Sequence, residues 1–381
     1  MSTEGRYAIA VDRLEWPIPG KFDTVFRWEY EDARDALVRL YEKAKNLQWN
    51  TNTRIDWSQD LDPENPQELP DESVSIFGSE VWNRLTPKEK ANVRRHAQAW
   101  QLSQFLHGEQ GALICTAKIV QQVPSVDAKF YAATQVMDEA RHVETYSRLL
   151  HEKFELAYPI TPTLQRLLND VLSDSRWDMT YLGMQVLIEG LALAAFGVHR
   201  DLTGNALVKQ VLAYVMQDEA RHVAFGRLAL RDYYPTLTQA ERDEREEFAV
   251  EACYLMRDRF QAEEVWETLG LPVDRCAAYM LESGFMQRYR SALFSRIVPI
   301  IKDIGLWGPK IRKGYEQMGI LGFAETDVQA MAAEDERVAE EFDKRHDEIV
   351  RVAAAASADS TGAASGAAAG PANGGAGRVS A

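Results

Sequence analysis

The sequence predicts an all-α protein in which two helical hairpins form a four-helix bundle. The main observation is an internal repeat, because the pentapeptide Asp-Glu-Ala-Arg-His occurs at 138–142 and again 80 residues later at 218–222. Each copy follows a further glutamate, Glu109 or Glu189, which lies 30 residues before the glutamate of its pentapeptide. Nowhere do polar and apolar residues alternate in the way that would indicate a β-sheet.

Helix breakers occupy the midpoints of the two intervals. Pro124 lies midway between the first pair of glutamates, and Gly204 lies midway between the second pair. Helical arms of about 15 residues, at about 1.5 Å per residue, bring both glutamates of a hairpin to the same height. Each half of the repeat is therefore predicted to be an antiparallel hairpin.

Residues 1–80 are predicted to form an N-terminal elaboration, with an amphipathic helix from about Glu29 to Leu47 and a loop rich in Pro and Asp. The bundle itself is assigned to residues 81–235. Its first helix begins at the capping box of Thr86 and Glu89, with proline at the first helical position, and runs toward Val123.

The other bundle helices follow in order. Ser125 is predicted to cap the second, which ends near Phe154, and a short helix at about 162–172 leads to the third, at about 175–201. The fourth begins at the turn 203–205 and stops at Pro235. The connection between the second and third helices is the long one, so the bundle has a long crossover.

Residues 236–352 are predicted to be additional helices packed on the bundle. The capping box of Thr238 and Glu241 begins one helix that extends to about Leu269. Further helices are expected at about 273–304 and 326–354. The tail at 353–381 consists mostly of Ala, Gly and Ser and is predicted to be disordered.

Composition limits the class of protein. The chain has 381 residues, of which 46% are hydrophobic, so it can bury a large core. Its net charge of −15 argues against a general nucleic-acid or anionic-membrane role. The start of the chain shows no signal-peptide core, and the longest apolar stretch, 182–198, is interrupted by Glu189, so a cytoplasmic protein without a membrane span is predicted.

The repeat also predicts a metal site. In Glu-x-x-His the two side chains lie three residues apart and leave a helix on the same face, so both reach one centre. Four carboxylates and two neutral imidazoles carry four negative charges, which match two divalent cations, whereas burying them without metal would be costly. The alternative is a duplicated hairpin with ordinary ion pairs. The predicted ligands are Glu109, Glu139, His142, Glu189, Glu219 and His222.

This series resembles the ferritin-like di-iron carboxylate proteins, in which two helices each give a Glu and two others each give a Glu-x-x-His. The match covers residues 86–232. The resemblance implies two iron ions (Fe2+/Fe3+), one held mainly by Glu109, Glu139 and His142 and the other by the second set, with some glutamates bridging. Iron is favoured over zinc because zinc has no redox chemistry and prefers nitrogen and sulfur ligands. Manganese is possible at one position.

The resemblance also suggests partners for the histidines. Ligating histidines usually donate their second ring N–H to a carboxylate. In the families concerned, the aspartate of one hairpin serves the histidine of the other, which pairs Asp218 with His142 and assigns Asp138 to the second histidine. Arg141 and Arg221 would then neutralise these aspartates. The alternative is that all four are surface ion pairs.

The segments 108–112 and 136–142 are similar to the hydroxylase subunits of bacterial multicomponent monooxygenases. That similarity implies an oxidoreductase that activates dioxygen and hydroxylates, N-oxygenates or desaturates a small organic substrate. It also implies an electron donor, a reductase or ferredoxin, and a homodimer is expected. Ala112 and Ala192 would leave room beside the metals in an apolar cavity, although small residues there equally suit close helix packing.

Tyr146 breaks the repeat, because its counterpart 80 residues later is Gly226. In the small subunit of class I ribonucleotide reductase a tyrosine stands at this offset from the first histidine, so Tyr146 is a candidate catalytic residue that the site would oxidise. Simple packing is the alternative. A radical generator of that kind and a ferroxidase or iron-binding protein are therefore the alternative functions.

Overall fold

A computed structural model describes residues 7–9, 16–27, 30, 34–334, 336–338, 340–341 and 344. Within these ranges all the regular secondary structure is helical, which confirms the all-α prediction. The whole of the predicted C-terminal tail, 353–381, lies outside the described residues, as does part of the helix expected at 326–354, although residues 328–334 are helical.

The first hairpin forms as predicted. The first bundle helix is Pro87–Gln122, and its capping box is present: the Thr86 backbone N–H donates to Glu89 Oε2 at 2.8 Å. The second bundle helix is Val126–Arg148, capped by Ser125 and continued by a π-helical segment, Leu149–Phe154. The two helices pack along their lengths on either side of the turn at 123–125.

The second hairpin contains an irregularity that the sequence did not predict. The third bundle helix spans Trp177–Leu202, but its segment Leu182–Ile188, directly before Glu189, is π-helical. The fourth bundle helix is Ala206–Tyr233, capped by Asn205. A helix at Pro162–Ser173 lies in the connection between the hairpins, so the long crossover is observed.

The third bundle helix is 26 residues long and apolar enough, by length and composition alone, to cross a membrane. However, 83% of its most apolar window is buried inside the protein. This burial is typical of the core helix of a soluble protein.

Helices before the bundle cover one of its sides. The helix Asp35–Asn46 begins later than predicted and packs against the second and fourth bundle helices. Two shorter helices follow, Thr51–Arg54 and Glu80–Arg84, with a 3-10 turn at Asp71–Ser73 between them.

Two of the C-terminal helices were predicted to be longer than they are in the structure. The helix from Gln239 ends at Asp258, and Ala262, whose φ is +48°, has a left-handed backbone conformation just before a short helix at Glu263–Thr268. The predicted helix at 273–304 is three helices, separated where Ser283 caps a new one and where the chain turns at 294–296. Their bounds are Val273–Glu282, Gly284–Leu293 and Ile297–Asp303. A further helix, Pro309–Gln317, was not predicted.

Candidate metal centre

The six residues predicted as ligands lie together in the core of the bundle. Each of the four bundle helices contributes at least one of them: Glu109 from the first, Glu139 and His142 from the second, Glu189 from the third, and Glu219 and His222 from the fourth. All six are buried, and the most exposed, Glu109, is only 5% exposed.

The two histidines face the glutamates through the same ring nitrogen. His142 Nδ1 lies 3.2 Å from Glu109 Oε2, 3.4 Å from Glu139 Oε2 and 3.1 Å from Glu219 Oε1. His222 Nδ1 lies 3.0 Å from Glu139 Oε1 and 3.5 Å from Glu219 Oε1. The glutamates at 139 and 219 therefore contact both histidines, as bridging ligands would.

The donor atoms fall into two overlapping groups. One atom from each of Glu109, Glu139, His142 and Glu219 lies within 4.8 Å of the others, and Glu139, Glu189 and His222 form a second such group. Glu139 belongs to both groups. The sequence had assigned Glu219 mainly to the second metal, whereas the structure also places it with the first histidine.

The chemistry of these donors fits two metal ions. Glu139 Oε2, Glu189 Oε2 and both carboxylate oxygens of Glu219 are buried and make no hydrogen bond to the residues that the structure describes. Buried polar atoms are rarely left without partners, and unpaired buried charges cost several kcal/mol each. Carboxylate oxygens and imidazole nitrogens that converge in this way are suitable ligands for divalent metal ions.

The electrostatics of the six side chains support this fit. Burial, together with the neighbouring Glu219 carboxylate, raises the pKa of Glu109 and of Glu189 well above the usual range. Burial by itself would lower the pKa of His142. The carboxylates of Glu109 and Asp218 have the larger, opposite effect, so the pKa of His142 lies well above its usual value. Protons therefore remain on the cluster without metal, and metal binding would release them.

The second nitrogen of each histidine contacts an aspartate of the other hairpin. His142 Nε2 lies 3.0 Å from Asp218 Oδ2, and His222 Nε2 lies 3.2 Å from Asp138 Oδ2. This is the crossed pairing that the resemblance implied. A proton on Nε2 that is donated to the aspartate leaves Nδ1 free to bind a cation.

Two buried arginines hold the aspartates in place. Arg141 Nη2 lies 2.5 Å from Asp138 Oδ1 and 2.8 Å from Asp218 Oδ2, and Arg221 hydrogen-bonds Asp218 directly. Burial alone would raise the pKa of Asp218, but Arg221 and His142 lower it far below the usual range. Because all these groups are buried, the alternative of surface ion pairs is wrong.

Three further residues donate hydrogen bonds to the ligand glutamates or to the aspartates behind the histidines, and the sequence analysis did not identify them. Gln135 Nε2 donates to Glu139 Oε1 at 3.0 Å and to Glu189 Oε1 at 2.9 Å, and its position one helical turn before Glu139 was an available signal. Trp49 Nε1 donates to Asp218 at 2.8 Å, and Gln48 Nε2 donates to Asp138 at 2.7 Å. No spacing rule links residues 48 and 49 to the repeat.

A cavity of about 30 Å³ reaches the cluster from one side. Its lining residues include Glu109, Glu189 and Glu219, and most of the others are apolar. Ala112 and Ala192 are among these, so the cavity lies where the sequence expected it. About 10–15 Å³ holds one water molecule, so dioxygen fits in this space.

Tyr146 is buried close to the cluster. Its ring centroid lies 6.0 Å from that of Phe105 and 5.9 Å from that of Phe196, and its hydroxyl makes no hydrogen bond to a described residue. Burial and the carboxylates of Glu109 and Glu219 raise its pKa well above the usual range. Its redox role stays a prediction.

A helical bundle whose core carries four glutamates and two histidines at these distances defines a ferritin-like di-iron carboxylate protein. Residues 30–305 match the family model described as p-aminobenzoate N-oxygenase AurF, and the chain belongs to this family. It is therefore an oxidoreductase with a two-metal cofactor that activates dioxygen.

No curated protein sequence matches the chain. Among solved structures, an R2-like ligand-binding oxidase variant with anaerobically reconstituted Mn/Fe cofactor is 19% identical, with a TM-score of 0.44, covering 74% of this chain and 100% of its own. The same type of oxidase with an aerobically reconstituted Mn/Fe cofactor is 17% identical, with a TM-score of 0.36, covering 84% and 98%. Similarity at this level carries no argument about function.

Proposed function

We propose that the chain is a monooxygenase that transfers one oxygen atom from dioxygen to the nitrogen of a small aromatic amine. The proposed metal ligands are the six clustered residues, Glu109, Glu139, His142, Glu189, Glu219 and His222. The observation that carries the proposal is the cavity that ends on three of these glutamates, because it gives dioxygen and the reacting end of a substrate access to the metals. The family name, p-aminobenzoate N-oxygenase, supplies the reaction type.

Two iron ions, when bound, supply the redox chemistry that reduces dioxygen. The residues of the chain would hold the ions and shape the space beside them. Gln135 restrains two of the carboxylates by hydrogen bonds, and the crossed aspartates keep both imidazoles in the orientation that binds cations. Phe105 and Phe196 line the cavity and would exclude water from the reacting atoms.

The reaction balances as amine, dioxygen, two electrons and two protons giving hydroxylamine and water. The two electrons require a donor, for which a reductase or ferredoxin is proposed. A homodimer and a cytoplasmic location stay predictions.

One observation favours a second candidate, a radical generator. The Tyr146 hydroxyl is buried, makes no hydrogen bond to a described residue and lies within electrostatic range of Glu109 and Glu219. A tyrosine in that position can give up an electron and a proton to an oxidised metal site. The cavity beside the glutamates makes the oxygenase the first choice.

The test is rapid mixing of protein loaded with ferrous iron with ¹⁸O-labelled dioxygen, in the presence and absence of 4-aminobenzoate. We expect one labelled oxygen atom in a hydroxylamine product and about two irons per chain. The Glu144→Gln variant, which changes an exposed residue on the same helix as Glu139, should behave like the unmodified protein. Deposition of many ferric ions per chain without labelled product would instead identify an iron-handling protein.

A further inference from the structure

Five aromatic side chains form a continuous series between the metal centre and the protein surface. They lie on the second, third and fourth bundle helices, and the ring centroids of successive members are 4.4, 5.0, 5.5 and 4.6 Å apart. Spacings of this size are those of packed aromatic pairs. We call this set the ring series, and its members, in order from the metal centre, are Tyr131, Phe225, Tyr181, Trp177 and Tyr233.

The inner end of the ring series, Tyr131, lies beside the ligands of the metal centre. It precedes Gln135 by one helical turn, and Gln135 donates hydrogen bonds to Glu139 and Glu189. The Tyr131 phenol is also within electrostatic range of His222 and Glu189. An oxidised centre is therefore close enough to take an electron from this ring.

The outer end of the ring series reaches solvent. The three inner members, Tyr131, Phe225 and Tyr181, are fully buried. Trp177 and Tyr233 are only half-buried, and together they line two open grooves on the surface. The series thus connects a site closed to water with two oxidisable side chains that small molecules in solution can contact.

The buried tyrosines are poor places for an oxidising equivalent to stay. An oxidised phenol is a strong acid and is stable only where its proton can leave. The hydroxyls of Tyr131 and Tyr181 are buried and make no hydrogen bond to a described residue, so they have no acceptor for that proton. Trp177 can lose an electron without first losing a proton, and Tyr233 borders water, which accepts one. The oxidising equivalent therefore comes to rest at the outer end.

The rings around Tyr146 make a poorer route. Its neighbours are Phe105 and Phe196, with centroids at 6.0 and 5.9 Å, and the ring of His199 lies 5.7 Å beyond Phe105. Phenyl and neutral imidazole rings resist oxidation, and here they follow one another. In the ring series a single phenyl ring separates two tyrosines.

We propose that the ring series carries single electrons from Tyr233 at the surface to the metal centre and so discharges an oxidised centre that has no substrate. The centre is reduced by one electron. Tyr233 loses that electron, its O–H bond breaks, and the proton goes to water. A small thiol in solution then returns a hydrogen atom to Tyr233, and two oxidised thiols join as a disulfide. The inference goes beyond the proposed function, because it needs a dioxygen-activating centre but no particular substrate.

The test is rapid mixing of ferrous protein with dioxygen, without amine or thiol, followed by freezing and electron paramagnetic resonance. We expect a tyrosyl signal whose splitting changes in protein made with ring-deuterated tyrosine. Tyr233→Phe should instead give a tryptophanyl signal, which changes with ring-deuterated tryptophan. Trp177→Leu removes the ring that joins the buried and exposed members and should lose both signals.

Tyr181→Phe is a second variant that keeps the shape of the core, places two phenyl rings in succession and should also lose the surface signal. Trp307→Leu is the matched control, because Trp307 is half-buried like Trp177 but lies outside the ring series, with its centroid 6.1 Å from that of Tyr315. This variant should keep the signal of the unmodified protein.

Mass spectrometry of peptides gives a readout that does not depend on trapping a radical. After repeated reduction and exposure to dioxygen without amine or thiol, we expect added oxygen on Trp177 and Tyr233. Zinc-loaded protein treated in the same way should remain unmodified, since zinc has no redox chemistry. A small thiol present throughout should prevent the modification.

Two results would overturn the inference. One is a radical that persists in Trp177→Leu and Tyr181→Phe but disappears in Trp49→Phe or Tyr146→Phe, because electrons would then travel on another side of the bundle. The other is consumption of dioxygen with neither a protein radical nor modification of Trp177 and Tyr233. Neither result involves an amine, so both are independent of whether the protein oxygenates one.

Discussion

His142 Nε2 lies 3.0 Å from the carboxylate of Asp218, which belongs to the opposite helical hairpin. The reciprocal contact joins His222 to Asp138 at 3.2 Å. Each hairpin therefore orients the histidine of the other, and neither can present its full set of donors alone. The repeated sequence gives a site that is complete only after the two hairpins have docked.

Asp218→Asn should weaken metal binding about 10–100-fold, which is typical for loss of a carboxylate behind a ligating histidine. The amide lacks the charge that fixes the proton on His142 Nε2, and it leaves Arg141 and Arg221 less well compensated. Competition with a chelator of known affinity measures the change. Asp201→Asn, at an exposed aspartate, is the control, and equal affinities in the two variants would contradict the prediction.

Glu139→Gln and Glu189→Gln should differ in metal content. Glu139 belongs to both donor groups, so its loss should reduce binding of both ions, whereas Glu189 belongs to one and its loss should leave about one ion per chain. Elemental analysis after loading and desalting measures the stoichiometry and also separates iron from manganese. Two tightly held ions in both variants would show that the donor groups are assigned wrongly.

Gly226→Ala should destabilise the fold. A Cβ at this position would lie 2.5 Å from Cβ of Gln185, a residue of the π-helical segment in the third bundle helix. We expect a loss of about 1–3 kcal/mol in the free energy of unfolding, as for other overpacked sites. Chemical denaturation measures it. In Gly197→Ala the nearest atom would be Met216 Cε at 3.5 Å, so this control should be neutral or slightly stabilised.

Tyr146→Phe tests the radical alternative. If the tyrosine is oxidised by the centre, ferrous protein exposed to dioxygen should give a tyrosyl signal in electron paramagnetic resonance that vanishes in the variant. Phe105→Leu, which changes a neighbouring ring without removing the phenol, should retain that signal. Full turnover by Tyr146→Phe, with no signal from the unmodified protein, would leave Tyr146 as a packing residue.

Local rules were sufficient for much of the fold. Thr86 and Ser125 cap the helices that they were predicted to begin, because capping depends only on neighbouring backbone groups. The failures occurred where a tertiary contact overrides a local pattern. The helix from Gln239 ends at Asp258, although the following residues continue an acceptable helical sequence, and after a turn the short helix Glu263–Thr268 packs on the first bundle helix.

The sequence alone was sufficient to predict that the six clustered side chains converge. They lie on regular helices at equal distances from two turns, and the constant rise of a helix fixes their height and direction. Tertiary structure decided which donors share a group and how Gln48 and Trp49 reach the aspartates. These features join segments far apart in the chain, and their contacts depend on how the helices dock, which no local spacing specifies.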